Sequence, residues 1–297
     1  MPRQKKRTDD EKPSAKKKPA AKKKPTAKKK PTAKKPARKP AAKKKPAAKP
    51  AARKAPQREE TEPVASRGRR WLGRLRAAVL WVTVLVFVVP ISQALLLNVV
   101  SPPVTVTMLS RSWSHLWEHG ELRLPAYDWV DLDDIPEHVA AAALSSEDAR
   151  FYTHRGFDWG AIEQAIDAHQ GGSSGGGGSS ISQQTAKNVF LWQRRSWVRK
   201  GLEIWYTFWM ETLVPKHRIL EVYLNIAETG PMTFGVGAGA ERWFGKPVSA
   251  LTPLQSAQMI SLFPAPRSWE PSDRHVQERA KRIASWASPL PEDWRSQ

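Results

Sequence analysis

The sequence contains no cysteine, and this absence removes several classes of chemistry. Disulfide bonds, zinc sites with cysteine ligands, iron–sulfur clusters and thiol catalysis are all excluded. Acidic residues are missing from residues 16–54, where lysine, alanine and proline recur in a loose KKKPA register. Alternating Val, Ile and Thr is also scarce, apart from residues 104–108. We therefore expect a mainly α protein with a short strand at that one position.

Net charge is nearly absent from the larger part of the chain. Residues 1–70 carry 28 Lys and Arg against 6 Asp and Glu, whereas residues 71–297 carry 21 and 22. A globular nucleic-acid-binding domain is therefore a weak interpretation. Residues 1–70, rich in Lys, Ala and Pro, are predicted to be a disordered tail. We interpret it as a solvated spacer or a contact to anionic lipids, with nucleic-acid phosphates as the other possible partner.

Charged residues are also absent between Arg76 and Arg111, and residues 77–100 are largely apolar. A bilayer core about 30 Å thick takes about 20 helical residues, so this stretch predicts one transmembrane helix. A buried core helix would carry a polar face, and a cleaved signal peptide would start nearer the N-terminus. Six basic residues lie in the 20 positions before the stretch and one in the 20 after it. The positive-inside rule predicts a cytoplasmic tail and an outer domain of residues 101–297.

Two charged clusters in the outer domain are the candidates for catalysis. Glu147 and Asp148 end an alanine-rich segment, and Arg199, Lys200 and Glu203 share one face of a predicted helix. A lone acidic pair is usually a solvated helix face, but the second cluster favours a site. The two cations keep Glu203 ionised, so it suits binding a metal or orienting a cation. Glu147 is the better candidate for proton transfer if its pocket raises its pKa.

A polar block lies between these clusters. Gln183 and Lys187 are four residues apart, as are Gln184 and Asn188, so each pair shares a face of a helix that follows Ser180. Hydroxyls, amides and an ammonium group together suit a surface that binds sugars and phosphates.

Three glycine-rich or amphipathic segments are interpreted as structural. Residues 171–180 have the composition of a flexible linker, and their formal G-x-S-x-G match lacks the strand that a nucleophile elbow needs. Gly235, Gly237 and Gly239 fit neither a dinucleotide fingerprint nor a P-loop, and indicate close backbone approach or a turn before the next helix. In residues 216–225 only Lys216 and Asn225 are considered near a substrate.

These blocks occur together in one known family. In order and spacing, ED-x-x-F-x-x-H-x-G (residues 147–156), the Ser-rich block with QQ-x-x-KN, RK-x-x-E and K-x-x-I-x-E-x-YLN resemble the family 51 glycosyltransferases, the peptidoglycan glycosyltransferases. Residues 234–246 and the LTPLQSAQMISLFPAP segment resemble a fifth block and the helix after it. The similarity covers about residues 130–272. It implies a mainly α, lysozyme-like glycosyltransferase domain on a single transmembrane helix, monofunctional because the chain has no room for a transpeptidase.

The resemblance implies polymerisation of lipid II into β-1,4-linked glycan strands, with release of undecaprenyl pyrophosphate in an inverting single displacement. It implies that Glu147 is the general base and Glu203 a second catalytic carboxylate, with a divalent metal (Mg²⁺ or Mn²⁺) near Glu203. One departure is that Gly and Ser replace the basic residues that the family often has just upstream of Ser180. The implied substrate-binding residues are Asp148, Phe151, His154, Ser180, Gln183, Gln184, Lys187, Asn188, Arg199 and Lys200.

The resemblance also implies a setting: the bacterial inner membrane, a periplasmic catalytic domain, cell-wall synthesis and division proteins as partners, and inhibition by moenomycin. Two alternatives stay open, a lysozyme-like or lytic glycan-cleaving enzyme and a membrane tether with a nucleic-acid-binding tail. The cations Lys187, Arg199 and Lys200 favour the transferase, because a hydrolase releases no pyrophosphate. Five aromatic residues are concentrated in residues 192–209 and suit a lobe that dips into the membrane: Trp192, Trp197, Trp205, Phe208 and Trp209. Core packing explains the last three of them equally well.

Overall fold

A long apolar helix is the first element of the computed structural model, which describes residues 64–170 and 178–297. It consists of α1 (Val64–Thr83), a π-helical turn (Val84–Val88) and α2 (Val89–Leu97). Among the described residues, Arg69–Leu97 is the one helix whose length and composition allow it to cross a membrane. Residues 98–100, which the sequence assigned to the transmembrane segment, follow its end. The tail prediction for residues 1–63 and the linker prediction for residues 171–177 lie outside the described residues.

The remaining described chain is mainly α-helical, as predicted. Several helices begin at a hydroxyl side chain that accepts a first-turn N–H, and Thr252 forms the predicted capping box with Gln255. Short 3₁₀ turns occupy Leu132–Asp134 and Val248–Ala250. The helices are α3 (Val106–His119), α4 (Glu137–Glu147), α5 (Trp159–Gln170), α6 (Ile181–Phe190), α7 (Trp197–Leu213), α8 (Lys216–Ile226), α9 (Gly235–Phe244), α10 (Pro253–Ile260) and α11 (Arg274–Trp286).

The predicted strand at residues 104–108 is wrong, because this segment starts α3. The Thr105 hydroxyl oxygen accepts the Met108 N–H at 3.2 Å, so a residue that favours strands serves as a helix cap here. The helix then buries Thr107, Met108 and Ser112. Burial of this face outweighs the local preference of the β-branched residues.

Three short strands form the described sheet, in the order β1 (Ala126–Tyr127), β3 (Thr233–Phe234), β2 (Glu228–Gly230). The strand β3 runs parallel to β1 and antiparallel to β2. The glycines that follow are part of α9 itself rather than of a turn before it. Gly235 has φ +83°, and a Cβ there would lie 2.5 Å from the Asn225 carbonyl oxygen. The predicted close backbone approach is therefore real, and only glycine permits it.

The core is built around α4, α8 and α10. In α8 every residue from Ile219 to Ile226 is buried, and α4 is buried from Val139 to Leu144. Burial on every side places these helices in the interior, although α8 also buries the polar side chains of Glu221 and Asn225. Because α4 is anchored in this way, its last residue, Glu147, is carried on a rigid element.

The apolar helix is joined to α7 by hydrogen bonds. Pro90 has no backbone N–H and cannot donate to the carbonyl of Val86, four residues earlier. The Trp205 indole N–H donates to this carbonyl at 2.6 Å, and the Tyr206 hydroxyl donates to Gln93 Oε1 at 2.8 Å. The part of the apolar helix around residues 86–93 is therefore fixed against α7.

Candidate active site

Glu147 ends α4 in a polar, largely buried environment. Its Oε2 accepts the Gln184 side-chain N–H at 3.2 Å, and its Oε1 accepts the Ser146 hydroxyl at 3.2 Å and lies 3.5 Å from Arg279 Nη2. Burial raises the pKa of Glu147 above its ordinary value; the hydrogen bonds and the charge of Arg279 partly oppose this. A carboxylate held in this way can accept a proton and keep it.

Asp148 lies next to Glu147, but its side chain is buried and bonded within the protein. One oxygen pairs with His154 Nε2 at 2.8 Å, and the other accepts the Ile181 N–H, the first of α6, at 3.0 Å. Phe151 is buried in the core, with the Lys216 ammonium 4.3 Å from its ring centroid. These three predicted substrate-binding residues (Asp148, Phe151 and His154) join the end of α4 to the start of α6, and a direct contact with substrate stays a prediction.

Ser180 and Gln183 form the N-terminal cap of α6. The Ser180 hydroxyl oxygen accepts the Gln183 N–H at 3.2 Å, and the Gln183 side chain accepts the Ser180 N–H at 3.0 Å. Both residues are buried. The cap fixes the direction of α6, and Gln184 and Lys187, three residues apart, line the same cavity.

The predicted second cluster is formed on α7. Glu203 is buried, and its two oxygens pair with Arg199 Nη1 at 2.6 Å and Lys200 Nζ at 2.5 Å. We call Arg199 and Lys200 the cation pair. The carboxylate holds the two cations side by side and offsets part of their mutual repulsion. The predicted orienting role of Glu203 matches this geometry.

Lys187 connects the two clusters. Burial lowers its pKa below the ordinary value and the cation pair lowers it further, while attraction by Glu203 and Glu147 opposes both. The charges of both carboxylates therefore act on one ammonium group. The two predicted clusters lie within electrostatic reach of Lys187, although they are far apart in sequence.

Two cavities meet at the contact between Glu147 and Gln184. One, about 380 Å³, is lined by Glu147, residues 145–150 and residues 178–180. The other, about 360 Å³, is lined by Gln184, Lys187, Asn188, residues 263–268 and part of α3. Glu147 lies in one cavity and Lys187 in the other. Two reactants can therefore bind side by side, one next to the carboxylate and one next to the ammonium group.

Arg279 was not predicted as a site residue, because it lies on α11, outside every motif. On that helix Val276, Ala280 and Ile283 are buried, and Arg279 falls within the same stripe. An arginine inside an apolar stripe was the available signal, because a charge there needs a partner. The partner is the carboxylate of Glu147.

The cleft-facing residue of α8 also differs from the prediction. Asn225 bonds to the N–H and carbonyl of Val130, both at 2.8 Å, and Lys216 bonds to Glu211 at 2.9 Å. Tyr223 instead lines the cleft, and its buried hydroxyl has no hydrogen-bond partner in the described part of the chain. A buried hydroxyl without a partner calls for an explanation, and it makes Tyr223 a further candidate for binding a ligand.

Arg111 was seen in the sequence only as a charge after the span. Its guanidinium makes a bidentate pair with Glu228, with a shortest distance of 2.7 Å, and lines the cleft beside Thr107. It was missed as a site residue because α3 was not predicted.

The donor atoms around Glu203 do not fit a divalent metal. Both oxygens are already paired with cations. In residues 64–170 and 178–297, the one group of three possible metal ligands is Asp148, His154 and Asp158, which does not include Glu203. No step is therefore assigned to a metal on Glu203.

Comparison with known proteins gives a consistent result. The family model described as Transglycosylase matches residues 119–287. Proteins named biosynthetic peptidoglycan transglycosylase are similar to this chain. The one from Xanthomonas euvesicatoria pv. vesicatoria (strain 85-10) is 42% identical over 221 residues, covering 74% of this chain and 86% of the relative. Those from Xanthomonas campestris pv. campestris (strain B100) and Xylella fastidiosa (strain M23) are 41% and 42% identical, covering 76% and 68% of this chain and 90% and 82% of each relative.

Proposed function

The chain belongs to the peptidoglycan transglycosylase family and is a glycosyltransferase, and from this premise we propose how its site acts on lipid II and the growing glycan strand. Family membership favours synthesis of glycan strands over the glycan-cleaving alternative. One observation supports the assignment of roles: the charges of Glu147, Glu203 and the cation pair all act on Lys187, which lines the cavity next to that of Glu147.

Glu147 is proposed as the general base. It takes the proton from the 4-hydroxyl of the acceptor lipid II, and that oxygen attacks C1 of the sugar at the end of the growing strand. The C1–O bond to pyrophosphate breaks as the new bond forms, so an α-linked sugar becomes β-1,4-linked. Inversion requires the base and the leaving group on opposite faces of the sugar. The two cavities on either side of the Glu147–Gln184 contact support this arrangement.

Lys187 and the cation pair are proposed to receive the departing undecaprenyl pyrophosphate. Charge develops on the bridging oxygen as the bond breaks, and cations already in place stabilise it without having to reorganise. Glu203 positions the cation pair and is not assigned a proton transfer. The divalent metal that the resemblance implies near Glu203 has no part in this proposal, and polymerisation with and without a chelator tests it.

The enzyme is membrane-anchored by its apolar helix, and we propose the bacterial inner membrane with a cytoplasmic N-terminus and a periplasmic catalytic domain. The proposed division is a tail (1–70), a span (77–100) and a glycosyltransferase domain (101–297). The excess of basic residues before the span supports this orientation. Exposed Trp197 and Phe208 on α7 support a lobe that dips into the membrane. We propose the tail as a spacer or lipid contact and other cell-wall proteins as partners.

Purified full-length protein incubated with labelled lipid II tests the function. We expect polymer that lysozyme degrades, and loss of that polymer when moenomycin is added. If finished glycan is shortened while lipid II stays unpolymerised, the proposed function is overturned.

A further inference from the structure

One face of α3 exposes large apolar side chains to the surroundings of the molecule. Leu109, Trp113 and Trp117 follow one another at intervals of four residues and therefore share a face. Their exposed fractions are 57%, 67% and 83%. The opposite face of the helix is buried and consists of Thr107, Met108 and Ser112. We call the exposed side, formed by Leu109, Trp113 and Trp117, the α3 apolar face.

This face is built for an environment other than water. Isolated exposed apolar side chains are ordinary, but two largely exposed indole rings beside a leucine mark a contact surface. The face itself carries no charged side chain, and the arginine of this helix, Arg111, is turned to its ion pair with Glu228. The apolar side chains continue beyond the helix in Leu122, which is also exposed.

The position of α3 in the chain indicates what covers this face. Residues 98–105 separate the apolar helix from α3, and eight extended residues span at most about 28 Å. This connection is held close to the domain: the Asn98 side chain donates to the Leu213 carbonyl at 3.0 Å, and the Tyr127 hydroxyl donates to the Pro102 carbonyl at 2.7 Å. The helix therefore begins near the point where the chain leaves the bilayer.

We propose that the α3 apolar face lies in the boundary layer between headgroups and acyl chains of the bilayer that Arg69–Leu97 crosses. The proposal rests on the membrane anchoring proposed above. Helices with Trp and Leu on one face lie in this layer, where the indole ring meets acyl chains and its N–H meets polar headgroups. The opposite side of α3 supplies Thr107 and Arg111 to the cleft wall. The second bilayer contact thus holds the cleft at a fixed height above the membrane.

The absence of native cysteine permits a direct test with single labels. Trp113→Cys and Trp117→Cys are labelled with an environment-sensitive nitrobenzoxadiazole dye in the full-length chain. The protein is placed in nanodiscs of phosphatidylethanolamine and phosphatidylglycerol containing doxyl lipids. The matched control is Glu118→Cys, an exposed position on another side of α3. We expect quenching by a shallow doxyl group to be at least about twofold stronger at Trp113 and Trp117 than at Glu118.

A third label separates this proposal from the anchoring on which it rests. Val82→Cys, in the apolar helix, reports whether that helix is in the bilayer. If the label at Val82 is quenched while the labels at Trp113 and Trp117 are quenched no more than the label at Glu118, the α3 proposal is overturned and the anchoring is not. No quenching at Val82 overturns the anchoring. Quenching of the α3 labels that does not depend on doxyl lipid, but grows with protein concentration, indicates contact between copies and also overturns the α3 proposal.

The unsubstituted protein provides a second measurement that does not depend on the folding of a variant. Trp113 and Trp286 have nearly equal exposed fractions, 67% and 64%, so hydroxyl radicals should modify them equally in water. In nanodiscs we expect Trp113 to react at least about threefold more slowly than Trp286, because the boundary layer covers it. Equal rates in nanodiscs contradict the proposal.

Discussion

The guanidinium group of Arg279 lies 3.5 Å from Oε1 of Glu147, and its Nη2 donates to the Ser146 hydroxyl oxygen at 2.8 Å. Ser146 in turn donates to the same oxygen of Glu147. A helix late in the chain therefore supplies the counter-charge of the proposed base. Burial and this counter-charge act on the pKa of Glu147 in opposite directions, so the affinity of the base for a proton depends on Arg279.

Replacing Arg279 with Met removes the charge that lowers the pKa of Glu147, so this pKa should rise further. A base acts only when deprotonated, and the acidic limb of the kcat/KM profile should therefore move to higher pH. Activity lost at low pH should return at high pH. Arg279→Lys keeps the charge and should leave the limb close to its original position. A loss that is equal at every pH would assign Arg279 a purely structural role.

Glu147→Gln should slow chain growth by about 10²- to 10⁴-fold, the usual contribution of a general base. Binding of lipid II should persist, since the amide keeps the shape of the side chain. Polymerisation of labelled lipid II and a separate binding assay measure the two effects. Glu118→Gln, an exposed substitution, is the control for the loss of one carboxylate. A polymerisation rate of Glu147→Gln within about tenfold of the unsubstituted rate would remove Glu147 from the proposed role.

The same substitution should increase stability at neutral pH. The pKa of Glu147 is higher in the folded than in the unfolded state, so its ionised form is disfavoured in the folded state. The resulting cost is present above the folded-state pKa and disappears as the pH falls below the unfolded-state pKa. Glu147→Gln should therefore raise Tm at pH 7.5, and the difference in Tm should disappear near pH 4. Thermal unfolding in detergent at both pH values measures this. A Tm lowered at pH 7.5 would contradict the direction of the pKa shift.

Lys200→Met and Glu203→Gln should each reduce the rate of polymerisation by about 10²-fold, because each removes or misplaces a cation that stabilises the leaving pyrophosphate. Glu203 acts by holding the cation pair, so the double variant should be little worse than the more damaged single one. Arg274→Met, which breaks an exposed ion pair with Glu278, is the matched control and should be nearly neutral. Additive losses would mean that Glu203 and Lys200 act separately.

Trp205→Phe should weaken the attachment of the apolar helix to α7. It keeps an aromatic ring but removes the N–H that donates to Val86. Loss of one hydrogen bond of this kind lowers the free energy of unfolding by about 1 kcal/mol. Trp286→Phe, at an exposed site, is the control, and thermal unfolding in the same detergent measures both. An unchanged Tm for Trp205→Phe would argue against this attachment.

Local patterns predicted much of the fold. Pro215 separates α7 from α8, and the Thr252–Gln255 capping box starts α10, because both features act over a few residues. The start of α3 was not predicted, because the same Thr and Val residues suit a strand or a capped helix. Only the burial of Met108 and its neighbours decides between them.

The candidate site was predictable where a helix brings charges together. Arg199, Lys200 and Glu203 needed only helical spacing to be grouped. Arg279 and Arg111 needed tertiary structure, because each reaches its partner across the domain, Glu147 for one and Glu228 for the other. For the same reason the burial of Asp148 was not predicted from the sequence.

Pro90 has a consequence for the exchange of anchors between proteins. An uninterrupted helix of equal length and hydropathy would have its carbonyl at the level of Trp205 already bonded to its own next turn. A chimera with such a foreign anchor would insert into the membrane but would lack the hydrogen bond from Trp205 that attaches the anchor to α7. Whether an anchor can be swapped should therefore depend on a proline four residues after the acceptor, and not on apolar length alone.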